Sequence, residues 1–291
     1  GTNAGTPDAI GFNLTGLSFA FATATDVADR TRTWTALDAS ATGATFNGIP
    51  DVTISATALQ QSLNRPAGDG TLIDFASTKL VVKTGASTTR DLDLSGTAGP
   101  LLEASGTFTV DVAGFLNLSG SLAVRKSTFN LALSDGTTKP VNLLTVAGEN
   151  LSAFAGMNAS DATNKAGLSL TGLKFGLAVA TDKADPDRHW TTLQANAGSI
   201  SLTGISGVTM SSSDLAVSIN RKANDDTLAN YSSTPLTLST GSGQQVLNLS
   251  SASGQMTEAS GTIDIAVQNF FTVNGTFSVR SSRDTAVTDR K

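Results

Sequence analysis

Five aspartates in two short polar turns are the residues whose type and spacing could do chemistry. Asp182, Asp185 and Asp187 share one turn, and Asp26 and Asp29 hold the matching places earlier in the chain. Closely spaced carboxylates on a loop can ligate Ca²⁺ through oxygen, which makes calcium the cofactor to consider. The turns lack the glycine and distal Glu of an EF-hand loop. Arg32 and Arg188 stand beside them, so an ion-paired, hydrogen-bonded turn is the competing reading. His189 is the only histidine, Thr33 takes its place in the matching turn, and cysteine is absent. Those facts exclude a Cys-His dyad and a His-based metal cluster, and confine any Ser-His-Asp triad to one half of the chain. Trp34 and Trp190 follow the turns, and Leu37 and Leu193 continue an apolar stripe. They read as core residues rather than sugar platforms. Asn64-Arg65 with Asp69 and Thr71, and Asn220-Arg221 with Asp225 and Thr227, form a second polar turn. Arg-Asp pairing across that loop is the expectation. Glu103 and Glu258 sit in identical Glu-Ala-Ser-Gly-Thr runs with no second acid recurring beside them. A backbone-bonded strand residue is expected there rather than a glycosidase pair. The expectation is no catalytic residue and no enzyme.

The matching places arise because the chain is written twice. Gly11-Phe12-Asn13-Leu14-Thr15-Gly16-Leu17-Ser18-Phe19 returns as Gly167-Leu168-Ser169-Leu170-Thr171-Gly172-Leu173-Lys174-Phe175. The period is about 155 residues, roughly two in five aligned positions are identical, and one residue is lost near Gly99/Gly254. The reading gives two units, 1–156 with a structured junction and 157–291 shortened at its C-terminal end. Gly1-Thr2-Asn3-Ala4 resembles Gly156-Met157-Asn158-Ala159. The chain stops at Arg280-Ser281-Ser282-Arg283, soon after the counterpart of Arg125-Lys126-Ser127. A window cut from a longer polypeptide is expected.

Alternation of period two positions these residues. Leu168, Leu170, Leu173, Phe175, Leu177 and Val179 put apolar side chains on every second residue, with one slip at Thr171-Gly172. Phe12, Leu14, Leu17, Phe19 and Phe21 repeat this with a slip at Thr15-Gly16. Half-buried strands with a β-bulge at the slip are predicted. Asp51 to Leu63, rich in Ala, Gln and Ser, is the segment closest to helix. Its counterpart Val208 to Ile219 alternates, so both read as strand. A motif of Gly or Asn before a large apolar residue recurs at Gly48-Ile49, Gly114-Phe115, Gly204-Ile205 and Asn269-Phe270. Pro66-Ala67-Gly68-Asp69-Gly70 and Thr97-Ala98-Gly99-Pro100 read as turns, and Asp135-Gly136 as a hairpin. Residues 128–166 keep apolar runs, so the halves are expected to meet as one body.

Net charge is −5, charged residues are 15% and aromatics 5%. A nucleic-acid partner is excluded, since phosphate binding needs clustered Lys and Arg. No apolar run of membrane-spanning length is present. Asn-x-Ser/Thr sequons, as at Asn13, Asn117, Asn150, Asn158, Asn248 and Asn274, are what a Ser/Thr-rich chain produces by chance.

Leu143-Leu144-Thr145-Val146-Ala147-Gly148-Glu149-Asn150-Leu151-Ser152-Ala153-Phe154-Ala155-Gly156 leads into the run from Gly167 to Ala180. Trp190 to Ala195 and Leu202-Thr203-Gly204-Ile205-Ser206-Gly207-Val208-Thr209 follow. This pattern resembles the long tandem repeats of giant bacterial exported proteins, of the LEPR-XLL type and of large repetitive adhesins. The resemblance implies cell-surface or extracellular localisation and a structural or adhesive role, and it carries over no active-site residue. The expected fold is all-β, an elongated tandem array of mainly antiparallel strands. It is either a superhelical, solenoid-like sheet or a stack of β-sandwiches. The expected function is a structural segment of a fibre. Its partners would be neighbouring repeats of the same chain or identical chains. The alternative is an adhesin repeat that binds glycan or another surface ligand. A polysaccharide-acting enzyme is the third, weaker reading, since no acid pair recurs.

Overall fold

The computed structural model describes residues 10–282 except 49, 98, 160, 162 and 269. The chain ends compared above, and Ile49, Ala98, Asn269 and Arg283, lie outside the described residues. The strands are β1 (Gly11–Thr15), β2 (Ser18–Thr25), β3 (Thr33–Asn47), β4 (Val52–Arg65), β5 (Leu80–Lys83), β6 (Thr89–Leu92), β7 (Leu101–Val112) and β8 (Leu116–Ala132). They continue with β9 (Thr138–Met157), β10 (Ala166–Asp182), β11 (His189–Thr203), β12 (Val208–Arg221), β13 (Leu236–Ser239), β14 (Gln244–Leu247), β15 (Met256–Val267) and β16 (Phe271–Ser282). Among the described residues the one helical element is a 3-10 turn, Ser251–Ser253. Of Asp51 to Leu63, all but the turn residue Asp51 is strand, as its counterpart predicts.

Twelve of these strands form one antiparallel sheet in the order β1-β3-β4-β7-β8-β9-β10-β11-β12-β15-β16, with β2 paired to the other half of β3. One sheet, and not a stack of sandwiches, is the architecture. The second layer consists of two small hairpins, β5–β6 and β13–β14. Within residues 128–166, β9 runs hydrogen-bonded to the end of β8 on one side and to β10, which starts at Ala166, on the other. Leu80 corresponds to Leu236 and Leu92 to Leu247, so the offset falls from 156 to 155 inside the small hairpin. The lost residue is therefore in the turn Thr240 to Gly243, one shorter than Thr84 to Thr88, and not near Gly99/Gly254. Tight turns absorb a deletion without disturbing a ladder.

The two faces of the sheet differ. Cross-strand pairs keep apolar residues together in rows. Phe21, Leu37, Leu63 and Leu102 form one row, which Lys126 interrupts before Leu144 and Val179. Phe12, Phe46, Ile54, Val110, Leu118, Ala153, Leu170 and Ile200 form another. The opposite face carries small residues beneath the hairpins. Ala20 and Ala36 lie under Leu92 and Leu94. Ala178 and Ala180 lie under Leu236, Leu238, Leu247 and Tyr231. Small side chains let these roofs approach closely: a Cβ on Gly176 would come within 2.9 Å of Leu238.

The predicted slip is real, and it is not confined to one strand. Apolar residues sit at even positions in β1 and odd ones in β2, yet pairing with β3 keeps a single register. This requires β3 to gain a matching residue near Thr42. β4 does so at Ala58, β9 at Asn150, β10 at Gly172, β11 near Gly198 and β12 at Asp214. Gly16 (φ 59°), Ala58 (52°), Asn150 (53°), Gly172 (65°) and Asp214 (53°) all take the left-handed conformation. Each extra residue reverses the in-out alternation, so the apolar side chains before and after it stay on one face. β7, β8, β15 and β16 run straight, which produces the register shifts at Thr57/Gln60, Ser119/Ser121 and Ser213/Ala216.

The larger core crosses between the two sequence copies. Leu131, Leu133, Val141 and Leu143 of the β8–β9 hairpin pack with Trp190, Tyr231, Leu236 and Leu247. Backbone bonds Ser134 N–Leu228 O and Asn230 N–Ala132 O, each 2.9 Å, tie the same places together. The apolar face has no cover among the described residues. Total accessible surface is 16698 Å². A closed globule of this mass would expose about 11,600 Å².

Candidate functional site

The two polar turns read separately from the sequence meet in space. The β2–β3 turn closes through Asp26 N–Arg32 O at 3.0 Å. Asp26 Oδ1 accepts Ala28 N–H at 2.9 Å, and Asp29 Oδ1 accepts Thr31 N–H at 3.0 Å and its hydroxyl at 2.6 Å. Arg32 Nη1 donates to Asp26 Oδ2 at 2.7 Å, and Nη2 donates to Thr71 Oγ1 at 3.2 Å. Arg32 Nε lies 2.7 Å from Asp69 Oδ2, an ion pair by distance although its N–H is not aimed along that line. The guanidinium also covers the Trp34 ring at 5.0 Å, and Trp34 Nε1 donates to Thr71 O at 3.0 Å.

The second cluster repeats the plan with deeper burial. Asp182, with its side chain 3% exposed, accepts Ala184 N–H at 2.9 Å and Arg188 Nη1 at 3.3 Å. Arg188 Nη2 reaches Asp225 at 3.1 Å, and Trp190 Nε1 donates to Thr227 Oγ1 at 3.0 Å. Asp29, Asp69, Asp135 and Asp225 each take both the N–H and the hydroxyl of the threonine two residues on, so one turn design occurs four times among the described residues. The Thr hydroxyl and N–H bonds hold Asp29 and Asp69 below the usual carboxylate range. At Asp225 burial opposes this, but the Thr227 bonds and Arg188 prevail and its carboxyl is also lowered.

These contacts bear on the calcium reading and correct two other expectations. Asp26, Asp29, Asp182 and Asp185 spend oxygens on backbone N–H groups, threonine or arginine, and Asp185 accepts Asp187 N–H at 3.2 Å. Among the described residues no group of three or more His, Cys, Asp or Glu is placed to hold a metal. Asp69 and Asp225 pair with Arg32 and Arg188, not with the Arg65 and Arg221 of their own turn. Asn64 and Asn220 are instead buried ties that donate to the carbonyls of Ile73 and Ala229, each at 3.0 Å. Glu103 and Glu258 face Arg125 and Arg280 at 3.7 and 3.9 Å across strand pairs, rather than the backbone.

His189 is exposed, with Nδ1 3.2 Å from the Asp187 carbonyl. Trp190 is buried at 1% exposure and belongs to the core as read, whereas Trp34 is half-buried beneath Arg32. The Arg-Trp clusters thus act as latches that clamp the loop after β4, or after β12, to the neighbouring turn. Their charges are paired internally, which leaves little to bind an anion.

What sequence reasoning missed is the apolar face. Leu14, Leu17, Ala41, Leu59, Phe108 and Leu122 line a groove where the phase change crosses the sheet. At its rim Phe12, Phe19 and Phe21 are 75%, 54% and 52% exposed. Contiguous exposed apolar surface of this kind marks an interaction site. No protein-family profile, curated protein or solved structure matches this chain.

Proposed function

We propose that the chain is a structural segment of a bacterial cell-surface or extracellular fibre, in which tandem copies lengthen one continuous sheet. The observation that carries this is β9. It is hydrogen-bonded along its length to β8 on one side and β10 on the other, so the sheet passes from one sequence copy to the next without an edge. Matched strand lengths support two units of one plan: β3 and β11 have 15 residues, β4 and β12 have 14, β7 and β15 have 12. The row that starts at Phe21 enters the second copy at Val179, the counterpart of Thr23. That two-residue stagger favours a sheet that coils as it grows. The surface location is supported by the family resemblance.

Small-angle X-ray scattering on chains of two, three and four copies tests the reading. Six strands per copy at ~4.8 Å each add about 29 Å of length per copy, less any curvature. A length that does not rise in equal steps would refute it. Binding to a glycan array by the two-copy chain would favour the adhesin alternative.

A further inference from the structure

The seam between the copies shows what one edge of the sheet lacks. β10 pairs with β9 from Ala166↔Met157 to Asp182↔Val141. Its counterparts β1 and β2 pair with β3 alone among the described residues, so their other edge is open. The side chains register the difference. Leu14, Leu17, Phe19 and Phe21 are 50–55% exposed, whereas Leu170, Leu173, Phe175 and Leu177 are half-buried. Two further features point to what belongs there. Phe175 sits opposite Gly148, where an added Cβ would lie 3.0 Å from its ring, and Phe19 is its uncovered equivalent. The strands that change phase also come as a block of four, β9 to β12, but on the first side only β1–β2, β3 and β4 do so.

We propose that the β1–β2 edge docks one extended strand of β9 pattern, supplied by a further repeat of this kind. This rests on the fibre reading above and names the partner of its free edge. A long edge with unpaired N–H and C=O groups is a template for strand addition, with side-chain alternation giving specificity. The docked register follows from β10. Phe175↔Gly148, Leu177↔Val146 and Val179↔Leu144 become Phe19 opposite glycine, Phe21 opposite valine and Thr23 opposite leucine. The asparagine two residues after the glycine supplies the phase change that keeps the incoming apolar residues on the shared face.

The test uses the full chain and a fluorescent peptide of the β9 sequence, Thr138–Met157. Cysteine is absent from the chain, so Thr23→Cys with a Leu144→Cys peptide reports one disulfide. A Leu143→Cys peptide is the one-residue slip that points to the other face. The expected result is saturable binding, weakened about tenfold by Gly148→Val in the peptide, with cross-linking at 144 well ahead of 143. A scrambled peptide binding as well, or equal cross-linking at the two positions, overturns the proposal. Thr23→Cys chains that link to each other faster than to the peptide also overturn it, because the occupant is then a second copy's edge. If the scattering steps hold while the peptide fails, only this docking falls; if the steps fail, the fibre reading falls.

Discussion

Replacing Tyr231 with Phe tests whether the β13–β14 hairpin is a sealed roof or a surface flap. Tyr231 is the only tyrosine, is 1% exposed, and packs against the Phe129 ring at 6.5 Å. Burial pushes its phenol upward from 10, and the Thr192 hydroxyl opposes that only in part. A folded pKa above the unfolded one means that the stabilising contribution is intact below about pH 10 and is lost as pH rises. The loss is about 1.4 kcal/mol per pH unit above the unfolded value while the folded phenol stays neutral. The first roof carries Phe75 at the equivalent place, so the ring alone fits the site. Tyr231→Phe should therefore cost about 1 kcal/mol at neutral pH, the value of one hydrogen bond. It should also remove the alkaline loss, and the two stability curves should cross near pH 11. Urea unfolding at a series of pH values measures both, and tyrosinate absorbance follows the single phenol directly. Tyrosinate appearing with a midpoint near 10 in folded protein would refute the sealed roof. So would a variant that keeps the full alkaline slope.

Gly176→Ala should destabilise by about 1–3 kcal/mol in urea, because the new methyl meets Leu238, Leu247 and Gln245 at 2.9–3.1 Å and must push the roof outward. Arg188→Met strands the buried Asp182 carboxylate and should cost about 3 kcal/mol, whereas Arg32→Met beside Asp26, 24% exposed, should cost about 1 kcal/mol. Similar losses at the two sites would show that burial does not set the strength of these latches. Ala58→Gly should stabilise by about 1 kcal/mol, since alanine there holds a φ of 52°. Thermal unfolding should be the same with calcium and with EDTA; a calcium-dependent rise in Tm would restore the carboxylate turns as a cation site.

Local patterning was legible, and pairing across strands was not. Alternation gave the strands, including the Ala-rich Val52–Arg65, because a period of two survives whatever covers the faces. The slip at Thr15-Gly16 and Thr171-Gly172 was legible because glycine marks it. The same change at Ala58, Asn150 and Asp214 was hidden, since those residues only sometimes adopt positive φ. Arg32 was assigned to its own turn, yet half of its charge goes to Asp69 on the far side of the β3–β4 hairpin. The spacing held a clue. Trp34 to Thr71 and Trp190 to Thr227 are both 37 residues apart, and Glu103–Arg125 and Glu258–Arg280 recur at one shared separation. Polar pairs that recur at fixed long spacing are candidates for contact even without a local motif. The roofs gave no such signal, because four-residue strands such as Leu80–Lys83 alternate too briefly to stand out.

The phase changes also explain why so large an apolar face can stay on one side. A strand that crossed the sheet without its extra residue would turn Leu59 and Leu63, or Leu151 and Ala153, toward the small-residue face under the hairpins. There the roofs approach too closely to accept them, as the contacts at Gly176 show. A strand joining the β1–β2 edge therefore faces two requirements that hydrophobicity alone does not meet. It needs a glycine opposite Phe19, and it needs a residue that accepts positive φ about two places later. β9 meets both with Gly148 and Asn150, at φ 53° for the asparagine. Straight strands such as β7 and β8 carry no such reversal and belong on the other side of the block. On the docking proposed above, strand choice at this edge follows from backbone geometry, and such a sheet would grow in one order only.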